Sequence, residues 1–433
     1  MVKVFFKTFG CPTNFAESES MMGMLKKAEF EIVNNPEEAF VIVLNICTVK
    51  GNTTSLREIR KTTEQYPNKK IIIAGCITKD IIPEIHKITP EASMIGTHNI
   101  KEIVEVVEET INENPIQNLT PPDNPEIKTN LPKVRKNQSI AIIPICNGCT
   151  GRCKYCSVKI VKGKLFSYPV EAIVEEAQRS ITHGCRQIWI TAQDTAAYML
   201  DKEKHTKLPE LINRITRLPG NFKIRIGMMN INNLYPVADK MIEVLKNEKV
   251  FKFLHLPVQS GSDEILEKMG RDYSIRKFKN TIAKIREAIP DITISTDIIT
   301  GLPGETKLNF QESIKLIDEV QPDVLNVSKF RPRPGTEAAE MEDQTPGEDS
   351  KQRSKYITSI FEWTAYRKNK KWVGWTGDIL IEEKGKEGTG TYTGRNSSYK
   401  PVIVKGEFKP GDTVKVKIDA FTKHDLRGVA LGG

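Results

Sequence analysis

No apolar run in this chain approaches the roughly 20 residues that a helical membrane span needs. No signal-peptide pattern opens it. The expectation is a soluble, cytoplasmic protein. Cysteine is sparse, with eight in 433 residues, too few and too clustered for the disulfide scaffold of a secreted protein. Clustered cysteines in a cytoplasmic chain point instead to metal binding or catalysis. Aromatic residues make up only 7%, so those set among basic residues near the carboxy terminus stand out. Acidic residues are outnumbered, 55 against 64 Lys and Arg, and the net charge of +9 points weakly to a polyanionic partner. The apolar fraction of 39% is enough for ordinary cores, and the length suits roughly two to four domains.

The densest chemical signal is Cys149-Thr150-Gly151-Arg152-Cys153-Lys154-Tyr155-Cys156. Three thiolates on one tight loop can hold three corners of a four-iron, four-sulfur cube. The fourth iron then stays open for a substrate or cosubstrate, as in catalytic metal sites. Cys146 adds a second pair, but a zinc ribbon needs a longer span between its ligand pairs. Cys146 therefore reads as a buried free thiol at a strand end, and Cys185 as a buried small side chain. The run resembles the signature of the radical S-adenosylmethionine (SAM) enzymes. That resemblance implies SAM chelated by the open iron and cleaved to a 5′-deoxyadenosyl radical by an electron from the cube.

In the first third, apolar strands at 2–8, 39–44 and 70–74 are followed by Cys11, Cys47 and Cys76. Helical patterns at 15–28, 52–66 and 80–88 separate them, with a short strand at 93–95 and a helix from 100 to 114. Such alternation makes a parallel sheet with right-handed crossovers, whose strand carboxyl ends gather at one ligand-binding edge. The three cysteines should converge there as a second three-thiolate site. The segments Thr8-Phe9-Gly10-Cys11-Pro12-Thr13-Asn14 with Glu17 and Ser18, Asn45-Ile46-Cys47-Thr48-Val49 and Ala74-Gly75-Cys76 resemble the amino-terminal domain of the methylthiotransferases. The resemblance implies an auxiliary four-iron, four-sulfur cluster on these cysteines, handling the sulfur to be transferred.

Residues 113–138 hold five prolines, including the run Leu119-Thr120-Pro121-Pro122-Asp123, and 116–138 is assigned as a linker after a 1–115 domain. Strands are expected at 139–145, 186–192, 222–229, 250–258, 292–300 and 323–330. Six strand–helix units suit a (β/α)6 partial barrel over 139–368, with its active site at the strand carboxyl ends. Gln193 and Asp194 follow the second strand, Arg225 lies in the third, and Gln259 and Ser260 follow the fourth. Gly301, Gly304 and Glu305 follow the fifth, where glycines let backbone approach a ligand and a helix start can receive an anion. Arg331 and Arg333 follow the sixth. These segments are similar to the SAM-binding and substrate-facing segments of the methylthiotransferases, with Tyr155 a candidate to stack on the adenine. His255, between two leucines, reads as a hydrogen-bonded core histidine.

From Asn369 the composition changes to short strand-like runs at 378–383, 390–393, 401–404 and 413–418, with 12 Lys and Arg against 8 Asp and Glu. A small basic β-barrel with Tyr392, Tyr399 and Phe421 is a common RNA platform. The segment Gly394-Arg395-Asn396-Ser397-Ser398-Tyr399-Lys400-Pro401-Val402 looks like the TRAM domain, which places RNA-binding residues such as Arg395 in 369–433.

The fold expected is α/β: an amino-terminal parallel cluster domain, a partial TIM barrel and a small carboxy-terminal β-barrel. The chain resembles the methylthiotransferases along nearly its whole length, which implies two clusters, SAM, an electron donor and a sulfur source; no membrane partner is expected, because no apolar run is long enough to span one. The family acts on isopentenyladenosine in tRNA, on threonylcarbamoyladenosine in tRNA, or on an aspartate of a ribosomal protein. Lys159 stands where the mainly bacterial branches usually carry Pro, and resembles the archaeal and eukaryotic threonylcarbamoyladenosine branch. Its ammonium could meet the threonine carboxylate. The implied reaction adds a methylthio group at C2 of that nucleoside, at position 37 of tRNA. Lys162 stands where Arg is usual, with no role assigned by sequence. A non-catalytic iron–sulfur RNA-binding factor is the alternative of another class.

Overall fold

The computed structural model describes residues 1–49, 51–121 and 125–431. Pro122 and Asp123 of the linker run lie outside them.

The amino-terminal unit is one parallel sheet of β1 (Lys3–Thr8), β2 (Glu31–Val33), β3 (Val41–Cys47), β4 (Lys70–Cys76), β5 (Ser93–Gly96) and β6 (Gln117–Asn118), in the order β2-β1-β3-β4-β5-β6. Every residue of β3 is buried, as expected of a strand covered on both faces. Helices Pro12–Lys27 and Ile103–Ile111 cover one face through Met21, Leu25, Ile103 and Val107. Helices Asn52–Gln65 and Ile82–Ile88 cover the other through Ile59 and Ile85. The strand order reverses between β1 and β3, so Cys11 and Cys47 flank the switch point where open sheets bind ligands. The edge strands β2 and β6 carry no apolar run and were not expected.

The central unit begins with β7 (Ile140–Pro144), a short pair β8 (Cys146–Asn147) and β9 (Phe166–Ser167), then β10 (Gln187–Thr191) and β11 (Lys223–Ile226). It continues with β12 (Phe253–His255), β13 (Thr293–Thr300) and β14 (Val324–Lys329). β7, β10 and β11 form one parallel sheet and β12, β13 and β14 another. A parallel bridge from Ile224 to Val250 joins them into an open six-stranded half-barrel. β12 is shorter than the expected 250–258 for two reasons. Lys252 gives its N–H to Ser397 O in the carboxy-terminal unit, and Pro257 has no N–H to give.

The carboxy-terminal unit is a closed barrel of β15 (Thr376–Lys384), β16 (Thr391–Arg395), β17 (Pro401–Lys405), β18 (Thr413–Phe421) and β19 (Leu426–Ala430). β19 was not expected, because Gly428 interrupts its pattern. A Cβ there would come within 3.0 Å of Lys417 O, so the close approach of β18 asks for glycine.

The turn between β16 and β17 is the foot on which this barrel stands. It presses against the amino-terminal mouth of the half-barrel, opposite the face that carries the Cys149 loop. Tyr399 packs between Phe251 and Phe253, at 4.9 and 5.0 Å between ring centroids. Arg225 lies 5.4 Å from the Trp189 and Phe253 rings and 5.9 Å from Tyr399. Asp323, just before β14, receives Lys400 at 2.9 Å and Lys368 at 2.7 Å. Burial raises its carboxyl pKa, but the two ammoniums more than reverse this and leave it lowered. Asp323→Ala would strand two desolvated ammoniums at the joint. It is expected to cost about 3–5 kcal/mol, the usual size for breaking a buried pair. An unchanged urea midpoint would show that the joint does not depend on this pairing.

Among the described residues, no helix is long and apolar enough to cross a membrane.

Candidate active site

Local chemistry brings the first three cysteines to one edge. Gly10 turns the chain after β1 with φ at +121°, and a Cβ there would meet Cys47 Cβ at 2.9 Å. Cys11 then caps the Pro12–Lys27 helix. Asn14, in that helix's first turn, accepts from the Cys11 thiol at 3.3 Å and donates to Asn45 Oδ1 and Ile46 O. Asn45 in turn donates to Ser18 Oγ at 2.8 Å. These buried amides sew the β1 loop to β3. Cys47 and Cys76 are register partners at the ends of β3 and β4. The hydrogen bond with Cys47, and then burial, push the Cys76 thiol well up.

The barrel thiols are gathered by a loop folded on itself. Cys149 N–H donates to Gly163 O, Cys156 N–H to Cys153 O, and Gly151 N–H to Cys149 Sγ at 3.2 Å. A Cβ on Gly151 would lie 3.2 Å from Cys149 Sγ and 3.7 Å from Cys153 Sγ, so the glycine leaves room between two sulfurs. Arg271, half-buried beneath, reaches Cys153 Sγ at 3.6 Å and donates to Pro257 O at 3.0 Å. Burial pushes the Cys149 thiol up to about 11 and raises Cys156. Thiols held this way stay protonated until a metal takes the proton's place. Among the described residues no three Cys, His, Asp or Glu side chains close round a single ion. A four-iron cube spreads its ligands over separate irons, so three thiols on a loop cradled by Gly151 suit it better than a mononuclear zinc site.

Two basic side chains tie the triads together. Lys162, on the short helix after Cys156, reaches into the amino-terminal unit and meets Glu17 Oε1 at 3.0 Å. Lys128, from the linker, meets the same oxygen at 2.8 Å, and Thr97 donates to it at 2.6 Å. All three charged groups are buried. Burial raises the Glu17 pKa, but Lys128 and Lys162 bring it down to about 2. Burial lowers Lys128, and Glu17 offsets this only in part. Burial also acts to lower Lys162, yet Cys76, Glu17 and Cys11 together raise it. Of the two ammoniums, Lys162 is the more firmly charged, raised where Lys128 is lowered. Arg333 makes the second tie. It donates to Thr48 O at 3.1 Å, beside Cys47, and feels both the Cys156 and the Cys47 thiols. Between the units lies a pocket of about 130 Å³ lined by Thr48, Thr53, Thr78, Ser157, Arg331 and Arg333.

The other residues singled out by sequence fall into three groups. Lys159 is exposed at the edge of a cavity of about 340 Å³ that also takes in Cys149, Cys153 and Cys156. Tyr155 packs against the buried cluster of Ile265, Met269, Leu302 and Ala338, and Gln193 keeps a buried Oε1 without a partner, a polar atom suited to a ligand. A bracing group holds the loops. Asp194 accepts from Ala196 N, Asn230 N and Asn233 Nδ2. Ser260 accepts from Ser262 N, and Gln259, at φ +76°, bridges to Ile298. Glu305 accepts from Gly301 N at 2.7 Å and Arg353 at 2.6 Å, and Gly304 N–H donates to Asp343 O. The third group stands at the foot of the carboxy-terminal barrel: Arg225, described above, and Arg395, which pairs with Glu382 at 2.8 Å under the Tyr399 ring. His255 lies 2.9 Å from Asp297 inside the half-barrel. Cys146 and Cys185 are buried free thiols. Lys128 and Arg271 were missed. A single Lys in a Pro-rich stretch or an Arg after a glycine carries no sequence signal of its own.

Three family descriptions match in chain order: uncharacterized protein family UPF0004 over residues 3–96, the radical SAM superfamily over 143–317, and the TRAM domain over 370–431. The probable threonylcarbamoyladenosine tRNA methylthiotransferase of Methanothermobacter thermautotrophicus is 37% identical over 96% of this chain and 97% of its own. That of Pyrococcus horikoshii is 38% identical over 94% of this chain and 96% of its own. The threonylcarbamoyladenosine tRNA methylthiotransferase of Homo sapiens is 36% identical over 98% of this chain and 73% of its own. Among solved structures, the radical SAM methyltransferase TsrM of Kitasatospora setae, with cobalamin and a [4Fe-4S] cluster bound, aligns with a TM-score of 0.56. It is 14% identical over 78% of this chain and 74% of its own, a likeness of fold alone. On these full-length likenesses, this chain belongs to the radical SAM family of threonylcarbamoyladenosine tRNA methylthiotransferases.

Proposed function

We propose that this enzyme adds a methylthio group at C2 of N6-threonylcarbamoyladenosine at position 37 of tRNA. The observation that carries the reading is the pair of ties, Lys162 to Glu17 at 3.0 Å and Arg333 to Thr48 O at 3.1 Å, that set the Cys149 loop against the edge carrying Cys11, Cys47 and Cys76. Bound at Cys149, Cys153 and Cys156 and at Cys11, Cys47 and Cys76, two four-iron clusters would supply the electron for SAM cleavage and the site for sulfur. The chain's own task is positioning. Gly151 and Gly10 leave the room, the Asn14–Asn45 amides fix the auxiliary edge, and Lys162 holds the barrel loop to it. Tyr155 and Gln193 offer a stacking face and a polar atom for SAM. Asp194, Gln259, Ser260, Gly301, Gly304 and Glu305 hold the surrounding loops in shape. For the threonyl carboxylate, Lys159 at the cavity edge and the Arg331–Arg333 pair in the adjoining pocket supply cations in reach of the same cleft. An electron donor and a sulfur source complete the reaction, and a tRNA substrate fits a cytoplasmic location.

Mass spectrometry of tRNA nucleosides from a deletion strain and its complemented form tests this. Loss and recovery of 2-methylthio-N6-threonylcarbamoyladenosine is expected. A change confined to the isopentenyladenosine product would keep the reaction and reject the substrate. No change in any thiomethylated nucleoside would reject both.

A further inference from the structure

The three aromatics that the sequence offers as an RNA platform are all occupied. Tyr392 meets Phe408 edge-on at 5.6 Å, Tyr399 sits in the joint with the half-barrel, and Phe421 packs on Tyr366 at 4.8 Å. More exposed aromatic side chains lie on the Gly347–Lys370 helix, although Tyr366 also gives one side to Phe421 and Tyr356 lies near Phe310. Tyr356, Trp363 and Tyr366 are 56%, 62% and 45% exposed. Spacings of seven and three residues keep them on one helical face. The Trp363 and Tyr366 rings are 9° from parallel with centroids 6.3 Å apart, and the Arg367 guanidinium is 6.0 Å from the Trp363 ring.

Charge identifies what this face fits. The helix ends in Arg367, Lys368, Lys370 and Lys371. Lys368 is taken by Asp323, and the remaining three have no carboxylate partner among the described residues. The neighbouring barrel adds Lys423 and Arg427, paired with Glu362 at 2.5 Å and Asp425 at 3.4 Å. Those two acids are thus already matched, and the surplus along the strip is positive. Contiguous exposed aromatics are unfavourable in water and mark a binding surface. Flat rings beside unpaired cations suit unpaired nucleotides, whose bases stack and whose phosphates take the charge.

Resting on the tRNA reading above, we propose that Trp363 and Tyr366, with Arg367, Lys370 and Lys371, form a stacking surface for an unpaired segment of tRNA other than the reacting nucleotide. The surface lies toward the end of the helix that joins the β-barrel, away from the cysteine loops. It holds the RNA while the cleft does the chemistry.

The test compares the cluster-loaded full chain with its Trp363→Ala/Tyr366→Ala variant. Trp363 is mostly exposed and Tyr366 also packs on Phe421, so a urea midpoint near that of wild type is the check that the variant folds. Base–aromatic stacking is worth roughly 1–3 kcal/mol per base, so whole-tRNA affinity should fall about tenfold or more. The KM for tRNA should rise with kcat unchanged, binding of an isolated anticodon stem-loop should not move, and Trp363→Phe should restore most of the affinity. Equal tRNA affinity in variant and wild type would overturn the surface. So would loss of self-association in the variant with tRNA affinity intact, which would make the strip a contact between copies. A wild-type chain that neither binds nor modifies tRNA would instead overturn the functional reading itself.

Discussion

Cys47→Ala keeps reductive cleavage of SAM and loses thiomethylation, whereas Cys149→Ala loses both. The asymmetry follows from where each thiol stands. Cys149 belongs to a loop braced by its own barrel, through Gly163 O, Met269 O and Arg271, so nothing in that loop hangs on Cys47. Cys47 lies in the sheet of the other unit and faces Cys76. A four-iron cluster held by three thiols is expected to be lost with any one of them. Measured as 5′-deoxyadenosine release, activity should stay within about threefold of wild type in Cys47→Ala and drop by several orders of magnitude in Cys149→Ala. Iron content should fall by about half in each. Full thiomethylation by Cys47→Ala would mean that the amino-terminal triad is not part of the reaction.

Glu17→Gln destabilises the enzyme by about 3–5 kcal/mol, more than any surface charge could. The side chain keeps its shape but leaves Lys128 and Lys162 buried together without a carboxylate. Acid should imitate the substitution. The folded carboxyl is held at about 2 against an ordinary 4.5. A depressed folded pKa stabilises at pH above the unfolded value, and this contribution is lost as pH falls from 4.5 toward 2. The shift corresponds to roughly 3 kcal/mol at neutral pH. The difference in unfolding free energy between wild type and Glu17→Gln should therefore be flat above pH 5 and shrink below 4.5. A difference that stays constant down to pH 3 would show that Glu17 does not titrate as a paired carboxylate. Because the pairing crosses from one unit to the other, loss of Glu17 should also loosen the grip on the barrel loop at Lys162.

What sequence could and could not convey divides along physical lines. Cys11, Cys47 and Cys76 could be brought to one edge on paper because parallel strands always place their carboxyl ends together. The half-barrel was legible from six apolar runs spaced by helices. Edge strands β2 and β6 were not, because two or three residues are too few to make a period. The segment Gly394–Val402 resembles the TRAM domain, and Arg395 in it was expected to meet RNA. In the structure Arg395 pairs with Glu382, Asn396 Oδ1 accepts from Ser398 N and Lys400 N, and Tyr399 turns inward. Basic and aromatic composition is the same whether such a turn meets RNA or another domain. Lys162 was visible only as a departure from a usual Arg. Its partner Glu17 lies 145 positions away, and no local pattern spans that gap.

The Glu17–Lys128–Lys162 lock also decides how the RNA must behave. Lys128 comes from the linker itself, so that segment is pinned between the two units. Shifting one unit against the other would break this buried pairing, so the fold resists a change in the separation of the thiol triads. An adenosine stacked in its loop presents C2 to its neighbours, buried among the bases. The enzyme resists closing around it, so the nucleotide must leave the stack and swing into the cleft, and the cost of unstacking falls on the tRNA.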